Sequence, residues 1–114
     1  MKRVSDLAKA FAGRWRITEM DVWENDYLDL VEPAHITFTG ENDGAFVFGT
    51  VQGWLDIRYG TRDGSACAEF SWEGNNDNDP GNGRGWATMG TAGRLTGHIF
   101  IHGSDDSGFV AERE

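Results

Sequence analysis

The stretch WLDIRYGTRDGSACAEFSW, residues 54–72, has the pattern of two strands around a tight turn. Asp63-Gly64 is a dipeptide favoured in two-residue hairpin turns, where both central positions take positive φ. Folding the stretch about it sets Tyr59 opposite Ala68, Ile57 opposite Phe70 and Leu55 opposite Trp72 on one face. The other face sets Arg58 opposite Glu69, an opposite-charge cross-strand pair worth roughly 0.2–1 kcal/mol. A one-residue slip would exchange the faces. Both faces therefore fix one register.

The same alternation runs outward in both directions. AHITFTGENDGAFVFGT (34–50) predicts a second hairpin. With Gly40 to Gly44 as its loop, Phe38 falls opposite Phe46 and Ile36 opposite Phe48, while Val47 and Val51 take the other face. VSDLAKAFAG predicts a short helix over 4–12. Ser5 caps it, Val4, Leu7 and Phe11 share a face, and Gly13 ends it. Further strands are expected over Arg14–Trp23, Arg84–Met89, Leu95–His102 and Gly108–Arg113. Residues 14–113 thus make about eight consecutive short strands joined by hairpin-like loops. An open sheet of that size would expose two edges, and closure removes them. The fold class is all-β: an antiparallel up-and-down (meander) β-barrel with a short N-terminal helix, one domain over 1–114. A sandwich is the competing architecture.

Composition bounds the function. At 114 residues, 39% hydrophobic and 12% aromatic, the chain supports one core. Ten Lys and Arg against 19 Asp and Glu give a net charge of -9, which argues against nucleic acid and against an anionic membrane surface. No apolar run approaches the roughly 20 residues of a membrane span. Asp6 and Lys9 interrupt any signal-peptide core. Cys67 is the single cysteine, so neither an intramolecular disulfide nor a cysteine-based metal cluster is expected. A cytoplasmic location fits these features.

FAGRWRI (Phe11–Ile17), a short helix followed by Gly-x-Trp on the first strand, resembles the opening of the calycin barrels, the lipocalin and avidin groups. In lipocalins a basic residue of the last strand packs over that Trp. The resemblance therefore implies that Arg113 lies over Trp15 at the barrel closure. No residue set matches avidin's biotin contacts. With FSWEG, GRGWA and DDSGF, the chain also resembles small uncharacterised bacterial proteins, a likeness that brings no activity with it.

The polar tract EGNNDNDPGNGRG invites a calcium reading. Counting from Asn75, the EF-hand spacing needs Gly at the sixth place and Glu at the twelfth; Pro80 and Trp86 stand there. Counting from Asp77 gives Asn82 and Thr88. Asn, Asp, Gly and Pro are also what irregular turns require, so residues 74–85 are expected to be a connecting loop. EMDVWENDYLDLVEP (19–33) carries six acids interleaved with Val22, Trp23, Tyr27, Leu28, Leu30 and Val31. It reads as a connection whose apolar residues cap the core, with a lid or a docking patch for a basic partner as the alternative.

His98 and His102 share a strand face with Phe100 but stand roughly 13 Å apart, too far to chelate one metal. Asp105 and Asp106 near His102 leave that ligand set incomplete. Ser71, Ser104 and Ser107 lie in no nucleophile-elbow context, and no His is placed to activate Cys67. Glu69 and Glu73 share a strand face, as an acid–base pair would. No catalytic residue, metal or cofactor is expected.

Aromatic crowding sets the functional expectation. Trp54, Trp72 and Trp86 fall near strand ends around the polar tract, with Arg58 and Glu69 nearby. The leading expectation is a small cytoplasmic barrel binding a small-molecule ligand at an aromatic-rimmed mouth near these residues. The alternative is an interaction or homo-oligomeric assembly module using an outward apolar face (Val47, Val51, Phe100) or the 22–31 segment. A carboxylate-based enzyme comes third.

Overall fold

The computed structural model describes residues 4–114, with side chains from Asp6 onward. A helix, α1 (Val4–Phe11), leads into eight strands: β1 (Gly13–Met20), β2 (His35–Thr39), β3 (Asp43–Phe48), β4 (Val51–Arg62), β5 (Ser65–Asn76), β6 (Asp79–Met89), β7 (Arg94–Ile101) and β8 (Asp106–Arg113). A single turn of helix, α2 (Asn25–Leu28), lies between β1 and β2. Each strand pairs antiparallel with the next, and β8 returns to β1, so the meander closes into a barrel. At the seam Trp15 faces Arg113 and Met20 faces Phe109. Leu7 and Phe11 are buried on one face of α1. The Ser5 cap and the placement of Val4 lie outside the described side chains.

The β4–β5 hairpin has the register that its two faces dictate. Leu55, Ile57 and Tyr59 face Trp72, Phe70 and Ala68, and Arg58 faces Glu69. Its turn places Asp63 at φ 51° and Gly64 at φ 82°, the left-handed pair that a two-residue turn needs.

Three expectations are corrected. The β2–β3 register is displaced by two residues: Ile36 faces Phe46, and Phe38 faces Gly44. A two-residue slip keeps every side chain on its face, so the apolar pattern could not exclude it. Gly44 leaves the room: a Cβ there would approach Leu55 Cδ1 at 3.1 Å and Ile57 Cδ1 at 3.2 Å. Second, residues 74–85 are not a loop. β5 and β6 stay paired to Asn76 and Asp79, and only Asp77 and Asn78, both at positive φ, make the turn. Pro80 is tolerated because β7 begins pairing only at Gly83, which leaves that end of β6 a free edge. Third, β1 ends at Met20 rather than Trp23. The chain then leaves the wall, with Asp21 N–H bonded to the Gly108 carbonyl and Val22 N–H to Ser107 Oγ.

The interior is filled with side chains. Trp15, Ile17, Ile36, Phe38, Phe46, Phe48, Val51, Ile57, Leu95 and Ile99 are almost wholly buried and belong to one cluster with Phe70 and Trp72. On β6 the inward positions Gly81, Gly83 and Gly85 carry no side chain. A Cβ at Gly85 would fall 2.5 Å from the Phe70 ring and one at Gly83 2.8 Å from Trp72 Nε1. The two large rings of β5 therefore lie against the bare backbone of β6, and the Trp72 indole donates to the Phe100 carbonyl at 3.0 Å. An eight-stranded barrel is just wide enough for such filling.

Both ends are covered. Phe11 of α1 packs against Phe38 and Tyr59, each 5.4 Å between ring centres. At the other end Trp23 packs on Phe48 and Tyr27, and Leu28 is buried. Asp29 anchors that connection, taking the Arg16 guanidinium on one oxygen and the Ala34 N–H on the other. No helix among the described residues is long and apolar enough to cross a membrane.

Candidate functional site

Alternation along the strands sends one set of side chains inward and the other onto the outer wall. On β4 to β7 the outer set forms two adjacent rows. Arg58 faces Glu69, Glu69 faces Trp86, and Trp86 faces His98; beside them Asp56 faces Ser71, Ser71 faces Arg84, and Arg84 faces Phe100. Gly85 is buried between Arg84 and Trp86, and the wall there is hollowed into a depression of about 510 Å³. Asp56, Arg58, Arg62, Glu69, Ser71, Arg84, Trp86 and Phe100 line it.

The charged groups have distinct partners. Arg58 bonds Asp56 at 2.6 Å, not the Glu69 that it faces, so the expected cross-strand ion pair is a register relationship only. Arg62 reaches over from the end of β4, with its guanidinium 4.3 Å from the centre of the Trp86 ring. Arg84 lies 5.3 Å from the centre of the Phe100 ring. Among the described residues neither Arg62 nor Arg84 has a carboxylate at ion-pair distance. The His98 ring sits between Phe100 (4.6 Å) and Trp86 (6.5 Å) and is hydrogen-bonded to Asp106, so Asp106 serves His98 rather than His102. Cys67 lies beneath Arg62 on this wall. Burial pushes its thiol up and Glu69 adds to the rise, while the positive charge of nearby Arg62 opposes.

The structure brings together three of the five residues that the sequence singles out for a ligand. Arg58, Glu69 and Trp86 share the depression. Trp72 does not join them, because its position alternates inward and its ring is in the core. Trp54 is outward and 54% exposed, in a neighbouring depression that Trp72 also lines, with Glu73 and Asn82, and that borders the first through Asp56 and Ser71. No barrel mouth is rimmed by the three tryptophans. Arg62, Arg84 and Phe100 complete the site. Arg84 was readable from Arg-Gly-Trp at 84–86, where the glycine marks the inward position and both neighbours must point out. Arg62 reached the site through the length of its side chain, which strand parity does not report.

The other candidates separate. Val51 points into the core, and Val47, though outward, is buried, so the apolar outer face reduces to Phe100. Trp15 and Arg113 meet as the calycin resemblance implies, with the guanidinium 4.2 Å from the ring centre. Glu69 and Glu73 are both exposed on the outer wall. In the acidic 19–33 segment Trp23, Tyr27 and Leu28 cover the core, while Val22, Leu30 and Val31 stay exposed. Among the described residues no group of three His, Cys, Asp or Glu side chains is placed to hold a metal ion. No protein-family model, curated protein or solved structure matches the chain.

Proposed function

We propose that this chain is a small binding protein that takes a small-molecule ligand on the outer wall of β4–β7 and not inside the barrel. One observation carries this: ring faces and uncommitted guanidinium groups converge on a single hollow of the wall, while the interior is occupied by side chains. Aromatic bodies beside a few polar groups are what a small-ligand site is made of. Tryptophan fluorescence against a metabolite library tests it. A response that survives Trp54→Phe and disappears in Trp86→Phe supports the reading; a response that survives Trp86→Phe, or none from any chemical class, removes it.

The barrel itself we place with the calycin type. The Gly13-x-Trp15 opening after α1, the eight-strand meander and Arg113 stacked on Trp15 support this. A cytoplasmic location is supported by the acidic composition and by a single, buried cysteine. A second reading, assembly of copies through the same wall, is favoured by the exposed Trp54, since tryptophan and arginine are enriched at the energetic centres of interfaces. Light scattering across protein concentrations separates it: a concentration-dependent increase in mass supports assembly, and a constant monomer mass removes it.

A further inference from the structure

We infer that the ligand of the outer-wall depression is a small organic oxyanion, a carboxylate or a phosphate ester, that also carries a hydrogen-bond donor. This rests on the reading that the outer wall is the binding face.

The chain holds 19 acidic residues against ten basic ones, so an arginine without a carboxylate neighbour goes against the composition. Two such arginines, Arg62 and Arg84, line one depression. Each lies over an aromatic ring, an arrangement that favours the cation without neutralising it. A planar guanidinium also presents its N–H donors along one flat edge. That edge matches a carboxylate or phosphate, which takes two parallel hydrogen bonds. Because the rings already restrict both side chains, less rotamer freedom remains to be lost on binding.

The acids of the depression refine the class. Asp56 is committed to Arg58 at 2.6 Å. Glu69 faces Trp86 and has no ion-pair partner among the described residues. A bare polyanion would be repelled by Glu69, whereas a hydroxyl or ammonium group on the ligand would donate to it. The geometry therefore points to hydroxy or amino acids and their phosphorylated counterparts. The two oxyanion sources share one chemistry, and their relative affinities tell them apart.

Calorimetric titration with malate, 3-phosphoglycerate and the uncharged dimethyl malate tests this, with Trp86 fluorescence followed in parallel. Malate or 3-phosphoglycerate is expected to bind and the diester not to. Arg62→Gln and Arg84→Gln should each weaken binding about tenfold or more, and Arg94→Gln, on another part of the surface, should not. Identical thermal unfolding of the variants excludes misfolding as the cause. If neutral or cationic compounds bind at Trp86 as well as the anions, or if both Gln variants bind normally, the anion assignment is overturned and the outer-wall reading stands. If none of the three compounds binds, the anion assignment is overturned, while the outer-wall reading falls only if the whole metabolite library is also silent.

Discussion

Arg113 closes the barrel over Trp15. Its guanidinium stacks 4.2 Å from the indole centre and donates to the carbonyls of Ala12 (2.7 Å) and Ala10 (2.8 Å), while the indole N–H donates to Phe11 at 2.8 Å. One side chain thus joins the last strand, the first strand and the end of α1. It satisfies carbonyls in and just beyond the last turn of α1, which have no partner within the helix.

Arg113→Ala is therefore expected to destabilise the protein by about 1–3 kcal/mol, from two charge-assisted hydrogen bonds and a cation–π contact. Urea unfolding measures it. Lys, with one charge and no flat face, should recover only part. An unchanged urea midpoint for Arg113→Ala would mean that the seam does not depend on this contact.

Gly83→Ala should cost about 1–3 kcal/mol or more, because the new methyl would meet the Phe100 carbonyl and the Trp72 indole. Asn82→Ala, exposed beside it, is the control and should change little. Thermal unfolding of both, with Trp72 emission as probe, checks it. Equal stability of the two variants would contradict the tight packing of β5 against β6.

These contacts show which parts of the structure were legible. Residues 54–72 carry apolar pairs on one face and charges on the other, and both agree on one register. The 34–50 hairpin has its apolar pattern on one face only, and Gly44 gives no side chain to break the tie between registers two apart. Residues 74–85 have loop composition, yet their glycines alternate, which is strand behaviour seen only once Phe70 and Trp72 need somewhere to lie. The site was legible in parity: Arg58, Glu69 and Trp86 are outward by the alternation that sends Trp72 inward. Arg62 was not legible, since the reach of a long side chain across two strands belongs to tertiary structure.

Tyr59 is buried with a hydroxyl that has no hydrogen-bond partner among the described residues, and burial raises its pKa to about 12. The unfolded chain ionises near pH 10. Its contribution to stability is complete below pH 10 and is lost as pH rises towards 12, because the unfolded state releases its proton first. Tyr59→Phe should leave stability at pH 7 unchanged or improved and should flatten the alkaline decline. Urea unfolding from pH 7 to pH 11 measures both. A clear loss of stability at pH 7 would show that the hydroxyl has a partner.

Cys67 is 2% exposed and its thiol is pushed up by burial. Thiolate is the reactive form, so alkylation at pH 7.5 should be slow in the folded protein and fast in urea. Arg62→Gln removes a group that favours the thiolate, and should not accelerate the folded-state reaction. Rapid labelling of the native protein would contradict the covered position beneath Arg62.

A packed barrel that binds on its outside confines a ligand's effects to the outer wall. NMR mapping of a bound oxyanion such as malate shows where those effects fall. The predicted result is a shift of the Trp86 indole and of the Arg62 and Arg84 guanidinium signals, with the Trp15 indole and the methyls of Ile17, Ile36 and Ile57 unmoved. Shifts concentrated on those interior groups, with Trp86 silent, would contradict it.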